Sequence, residues 1–256
     1  MGSLYTPAVG RLLAGTFPAN VVRDLRIVAQ EQDVQYKGGG VSHGFVAYTL
    51  ATGMGVEEEV ARACAEALDT MQPSWDLADN LVDVELDRKL GRDPDARYPG
   101  IPRETLAYLP ALLLSAAVAS VFERLPPPRW DAASGARKLL HALAKMNVAQ
   151  GLPLDHPDRN DDLSGEFGRI VCLPLWCLPA DHPVAPRVPA AEQWSVMWGR
   201  TLQLRWEAAE FPDQPHRRAR LDAALVRARK AWPRFAPFRE GEALSTARVL
   251  DPLGGA

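Results

Sequence analysis

Cysteine is scarce in this chain: three residues, Cys64, Cys172 and Cys177, among 256. None falls in a Cys-x-x-Cys or Cys/His spacing, which argues against a thiolate zinc site and a disulfide framework. An odd, sparse set reads as free thiols in a reducing compartment. Strand signals are equally thin, with little period-two alternation and no Asn-Gly or Asp-Gly hairpin turn. The stretch Met1 to Gly15 lacks the basic-then-apolar order of a secretory signal. No uninterrupted apolar run reaches the roughly 18 residues of a membrane span, and the longest, Tyr108 to Phe122, is read as a buried core helix. There is no glycine-rich phosphate loop after a strand and no Gly-x-Ser-x-Gly elbow. Neither sign of charge dominates: 29 Lys and Arg stand against 32 Asp and Glu, for a formal charge of −3. That total gives no electrostatic reason to expect nucleic acid or an anionic membrane as partner. The expectation is a cytoplasmic protein without a stable membrane anchor.

What the sequence has in plenty is helical pattern. Asn20 to Val34 places Val21, Leu25 and Val28 at helical spacing, and Lys37 to Gly40 breaks it. Gly44 to Ala51 is apolar, helical or extended. Val56 to Leu90 is rich in Ala, Leu and Glu, with Pro73 expected to kink or restart the helix. Asp93 to Pro102 reads as a loop, Arg103 to Arg124 as helix, and Leu125 to Pro128 as a stop. Asp131 to Gln150 reads as an amphipathic helix capped by Asp131. Gly151 to Asp162 reads as a polar loop, Leu163 to Leu178 as an apolar segment, and Pro179 to Pro189 as loop. Ala190 to Phe211 and His216 to Arg234 read as helices, the second basic and more consistent with a solvated face than with closure over an anion. No composition break separates blocks, so one all-α domain is expected over residues 1–256, with a loosely held tail after Pro237.

One segment carries chemistry. On a helix of about 100° per residue, Asp76, Asp79, Asn80, Asp83 and Asp87 share one face, while Leu77, Leu81, Val84 and Leu86 lie largely off it. Carboxylates three or four residues apart repel mildly. A divalent cation offsets that repulsion, and magnesium suits it because it takes hard oxygen ligands alongside substrate phosphates. The alternative is a solvated acidic face, with Glu85 and Asp87 paired to Arg88, Lys89 or Arg92.

Asp79-Asn80-Leu81-Val82-Asp83 resembles the first aspartate-rich motif, DDxxD, of the trans-isoprenyl diphosphate synthases. In that family two basic residues follow after a four-residue gap, and Arg88-Lys89 stand at the matching place. Gln72, seven residues before Asp79, matches a His or Gln that contacts the homoallylic diphosphate. Lys37 to Gly44 stands where the family has GGKxxRP. Lys145 to Asp155 resembles its M-x-x-G-Q-x-x-D segment, with Gln150 on the glutamine. Leu163 to Pro174 resembles the segment opening with Lys-Thr, and Trp198 to Glu210 the run into the second aspartate motif.

The resemblance covers roughly residues 37–210 and implies a single-domain isoprenoid-synthase-like helical bundle with a central pocket. It implies that Mg2+, held by Asp79, Asp83, Asp87, Glu207 and Glu210, ionises an allylic isoprenyl diphosphate, Asp79 and Asp83 being catalytic. Gln72, Asp76, Asn80, Arg88, Lys89, Gln150 and Gln203 would contact substrate. The acceptor would be isopentenyl diphosphate or another molecule, and the protein a homodimer or the hetero-oligomeric partner of a catalytic homologue. The departures are specific. Gly40 and His43 replace the Lys and Arg of GGKxxRP, Asn80 replaces the second Asp, and Leu163-Ser164 replaces Lys-Thr. Trp206, Glu207 and Glu210 stand where the second motif has aspartates. A damaged homoallylic site leaves two further readings open: a terpene synthase acting on one allylic diphosphate, and a non-catalytic subunit.

Overall fold

The computed structural model describes residues 18–24, 26–27, 42–82, 84, 88, 91, 93, 101–152, 156–210 and 213–235, some of them by backbone alone. No strand occurs among them. A helical stretch at 19–24 is followed by α1 (His43–Met54), α2 (Glu58–Val82), α3 (Arg103–Arg124) and α4 (Ala132–Gln150). Then come α5 (Pro157–Arg169), a 3-10 turn (Ile170–Cys172), α6 (Leu173–Trp176), a second 3-10 turn (Ala185–Arg187), α7 (Val188–Glu210) and α8 (Pro215–Phe235). The all-α expectation holds. Internal contacts gather the chain into two compact units, Met1–Phe45 with Arg62–Arg124, and Val46–Ala61 with Leu125–Ala256. Each unit takes two separate stretches of chain, so neither is a sequence-continuous domain.

In the first unit, α2 and α3 bury a core of Val22, Leu77, Ile101, Leu109, Leu113 and Ala116. The helix α2 continues through Pro73, so of the expected kink or restart there is no restart. Pro73 is buried. The ring removes one amide donor, and two hydroxyls in the turn around it bond back to carbonyls, Thr70 Oγ1 to Glu66 O at 2.7 Å and Ser74 Oγ to Met71 O at 2.5 Å. Glu104–Arg124 of α3 is, among the described residues, one helix long and apolar enough to cross a membrane, a stretch longer than the apolar run read from the sequence. A third of it is buried, and Leu109, Leu113 and Ala116 pack into the unit's core.

In the second unit, α4 opens as expected on Asp131, whose carboxylate accepts from Ser134 N at 2.8 Å. Asp131 N in turn donates to Cys177 O at 2.8 Å, which ties the cap to the buried run 170–178. The segment after α4 differs from the sequence reading: α5 begins at Pro157, inside what reads as a polar loop. Proline suits a first helical position, and Asp158 lies in the first turn, at the positive end of the helix dipole, where a carboxylate stabilises. Glycine allows α5 and α7 to cross closely, because a β-carbon on Gly168 or Gly199 would strike the other helix's backbone. Trp194 is fully buried there and stacks on Trp198 with ring centroids 6.5 Å apart. This supports the packing role that tryptophans at helical spacing usually have. The loop before α7 is pinned by His182, whose Nδ1 accepts from Val184 N at 3.2 Å. Its Nε2 therefore carries the hydrogen that faces Glu57 Oε2 at 3.2 Å.

Candidate functional site

The acidic face sits on the C-terminal half of α2. The helix carries Asp76, Asp79 and Asn80, and Val84 and Arg88 continue in helical conformation. Leu77 is buried in the core while Leu81 and Val84 are half-buried, so the register keeps the acidic positions off the packed side. Arg88 is exposed. Asp83, Asp87 and Lys89 lie outside the described residues, as do the side chains of Asp76, Asp79 and Asn80. Among the described residues no three His, Cys, Asp or Glu side chains gather closely enough to hold a metal.

The same face extends further back than sequence reasoning took it. Steps of three and four residues lead from Asp76 to Gln72 and Asp69. There the face meets the N-terminus of α1, whose first-turn amides have no partners within the helix. His43 N donates to Gln72 Oε1 at 3.1 Å, Gly44 N to Asp69 Oδ1 at 3.0 Å, and Phe45 N to Ser42 Oγ at 3.1 Å. Three side chains thus cap one helix end. Gly44 is required for this contact, because a β-carbon there would overlap Ala65 O and the Asp69 carboxylate. The His43 ring is buried edge-on against Trp75, centroids 4.8 Å apart and planes at 76°.

Gln72 is 1 % exposed. Its carbonyl oxygen is fixed by the His43 amide, so the amide orientation follows from chemistry, and Nε2 has no hydrogen-bond partner among the described residues. A buried, unsatisfied donor costs about 1–3 kcal/mol, so this nitrogen is suited to an acceptor oxygen from a ligand or water. Asp69 is the member of this cluster that sequence reasoning passed over. The signal for Asp69 was the three-and-four spacing itself, continued one turn further.

The second unit holds the remaining expected positions. Gln150 ends α4 and Gln203 lies on α7, both half-buried. The helix α7 continues through Glu207 and Glu210, which puts Gln203, Glu207 and Glu210 on one face by spacing. The side chains of Glu207 and Glu210 lie outside the described residues. At Leu163-Ser164 the nearby cations are already matched by carboxylates. Buried Glu166 faces Lys145 Nζ at 3.2 Å and Arg169 Nη1 at 3.3 Å, while Glu192 takes Arg169 Nη2 at 3.4 Å and the Trp176 indole N–H.

No protein-family model matches the chain, and no curated protein sequence matches it. Solved structures do. A geranyltransferase from Legionella pneumophila superposes with a TM-score of 0.70 at 13% identity, covering 96% of this chain and 92% of that one. A geranylgeranyl pyrophosphate synthetase from the archaeon Geoglobus acetivorans gives 0.69 at 14%, covering 97% and 96%. The chain therefore has the all-helical isoprenyl synthase fold, and the likeness takes in both units.

Proposed function

We propose that this protein is a magnesium-dependent prenyltransferase of the polyprenyl synthetase type. It would take an allylic isoprenyl diphosphate and join the prenyl group to isopentenyl diphosphate or another acceptor. The observation that carries the reading is the polar face of α2, running from Asp69 through Gln72 to Asp76 and Asp79, on a chain with the isoprenyl synthase fold. By chemistry the donors suit Mg2+: Asp79, Asp83, Asp87, Glu207 and Glu210 would all be hard oxygen ligands. When bound, the ion neutralises the departing diphosphate. Arg88 and Lys89 would add fixed positive charge beside it, Gln72 Nε2 would donate to a phosphoryl oxygen, and Gln150 and Gln203 would position the substrate. In the reaction the allylic carbon–oxygen bond breaks, a carbon–carbon bond to the acceptor forms, and the acceptor loses a proton.

A second reading, a terpene synthase that acts on one allylic diphosphate, draws support from the α1 cap. A helix N-terminus is an anion site. Here Asp69 and Gln72 take the amides that a second diphosphate would use. Incubation with Mg2+ and geranyl, farnesyl or geranylgeranyl diphosphate, with and without isopentenyl diphosphate, separates the two by mass spectrometry. A longer diphosphate made only with isopentenyl diphosphate supports elongation. A hydrocarbon or alcohol made without it supports the second reading. Asp83→Ala should abolish either product while leaving the helical circular dichroism intact; full turnover in that variant refutes the metal assignment.

A further inference from the structure

The helix α8 holds seven Lys and Arg against one Asp, a formal +6 within a chain of −3. The charges are ordered. Leu221 and Ala224 are buried, and α8 packs on α7. Away from that side, the positions of Arg220, Arg227, Lys230 and Arg234 recur at steps of seven, three and four, one line along a helix about 31 Å long. Arg220 and Arg227 are exposed. The helix's one acid, Asp222, is on the other flank, 3.5 Å from Arg218. The basic residues at its start do not favour the dipole. Arg217 and Arg218 lie in its first turn, which has no acidic residue, at the positive end of the dipole where anions stabilise and cations do not.

We propose that this line of cations docks the protein on an anionic phospholipid surface, α8 lying in the plane of the headgroups. A basic amphipathic helix suits such a surface. The residues beside the line decide between lipid and nucleic acid. Ala219, Ala223 and Val226 are exposed, Val226 at 49 %, and they offer apolar contact at the headgroup boundary. The helix has no Asn, Gln, Ser or Thr with which to read a nucleic acid. The inference stands on α8 alone and is independent of the reaction proposed above.

Co-sedimentation of the whole chain with vesicles tests it. Binding is expected to phosphatidylcholine vesicles containing phosphatidylserine, not to phosphatidylcholine alone, at about 0.1 M salt. It should be lost near about 1 M, as the screening length falls from ~10 Å to ~3 Å. Arg227→Gln/Lys230→Gln should weaken partitioning about 30-fold, the factor for two surface cations. Arg218→Gln, on the other flank, should change it less than about twofold. Equal binding to neutral vesicles, no binding at low salt, or unchanged binding by the double variant overturns the proposal. Tighter binding to duplex DNA than to the anionic vesicles at the same salt would also overturn it, and would assign the line to nucleic acid.

Discussion

Gly168→Ala offers a quantitative test of how the second unit is held together. A methyl group on Gly168 would overlap the Ser195 carbonyl oxygen and stand 2.7 Å from the Gly199 nitrogen and 2.8 Å from its α-carbon. Carbon atoms rest at ~3.5–4.0 Å, so α5 and α7 must separate by about 0.7 Å or more. Nothing flexible can yield, because every obstructing atom is helix backbone. Separation would also stretch the contact between Cys172 Sγ and Ser195 Oγ, now 3.1 Å. Overpacking of this kind costs about 1–3 kcal/mol and occasionally more. Alanine's better helix propensity returns up to about 1 kcal/mol. With the cost at its upper end, the net loss is about 2 kcal/mol, which for a chain of this size lowers Tm by about 4–8 °C. Gly151→Ala is the control: its β-carbon would lie 3.5 Å from Val148 O, an ordinary contact, at φ −76°. That variant should melt within about 1 °C of the parent. Differential scanning calorimetry reads both. If Gly168→Ala melts with the parent, or Gly151→Ala falls as far, the close crossing is not what holds these helices.

Asp131→Ala removes the carboxylate that caps α4 and should cost about 1 kcal/mol, while Asp131→Asn should keep most of the stability; equal losses by chemical denaturation would refute the cap. Burial pushes the Cys172 thiol up to about 12 from an ordinary 9.0, the Glu192 charge adding to the rise and the Ser195 hydrogen bond opposing it. The folded state therefore holds this proton longer than the unfolded one. The associated stability is full below pH 9.0 and is lost as pH climbs towards about 12. Cys172→Ala should flatten that alkaline decline, and native Cys172 should resist thiol reagents at pH 8 until the protein unfolds. Rapid labelling of the native thiol would contradict its burial.

Local signals were legible in the sequence, and signals that depend on distant partners were not. The Asp131 cap could be read because donor and acceptor lie three residues apart. The proline stops after α3 could be read for the same reason. The start of α5 was missed because its aspartates look like loop composition, and what makes them helical is packing. Gly165 and Gly168 supply small surfaces that meet α7 some thirty residues later, near Arg200 and Gly199. The acidic face of α2 was visible as spacing as far back as Asp69, but the role of Asp69 was hidden because its partner amide, Gly44 N, is 25 residues away.

That hidden contact changes how the sequence departures are understood. Taken one by one, His43 in place of an arginine and Gly44 after it look like losses. In the fold they belong with Asp69: the glycine admits the carboxylate, and the carboxylate satisfies the helix end. A carboxylate at a helix N-terminus already neutralises the partial positive charge that an external anion would seek. A basic residue restored at His43 alone would therefore meet Asp69 before it met a diphosphate. On the reading that the α1 cap excludes a second diphosphate, binding of isopentenyl diphosphate should need His43 and Asp69 to change together, so the double variant His43→Arg/Asp69→Ala should bind it measurably more tightly than either single variant by calorimetry. Equal affinities across all three would mean that the cap does not stand in the way of a second diphosphate.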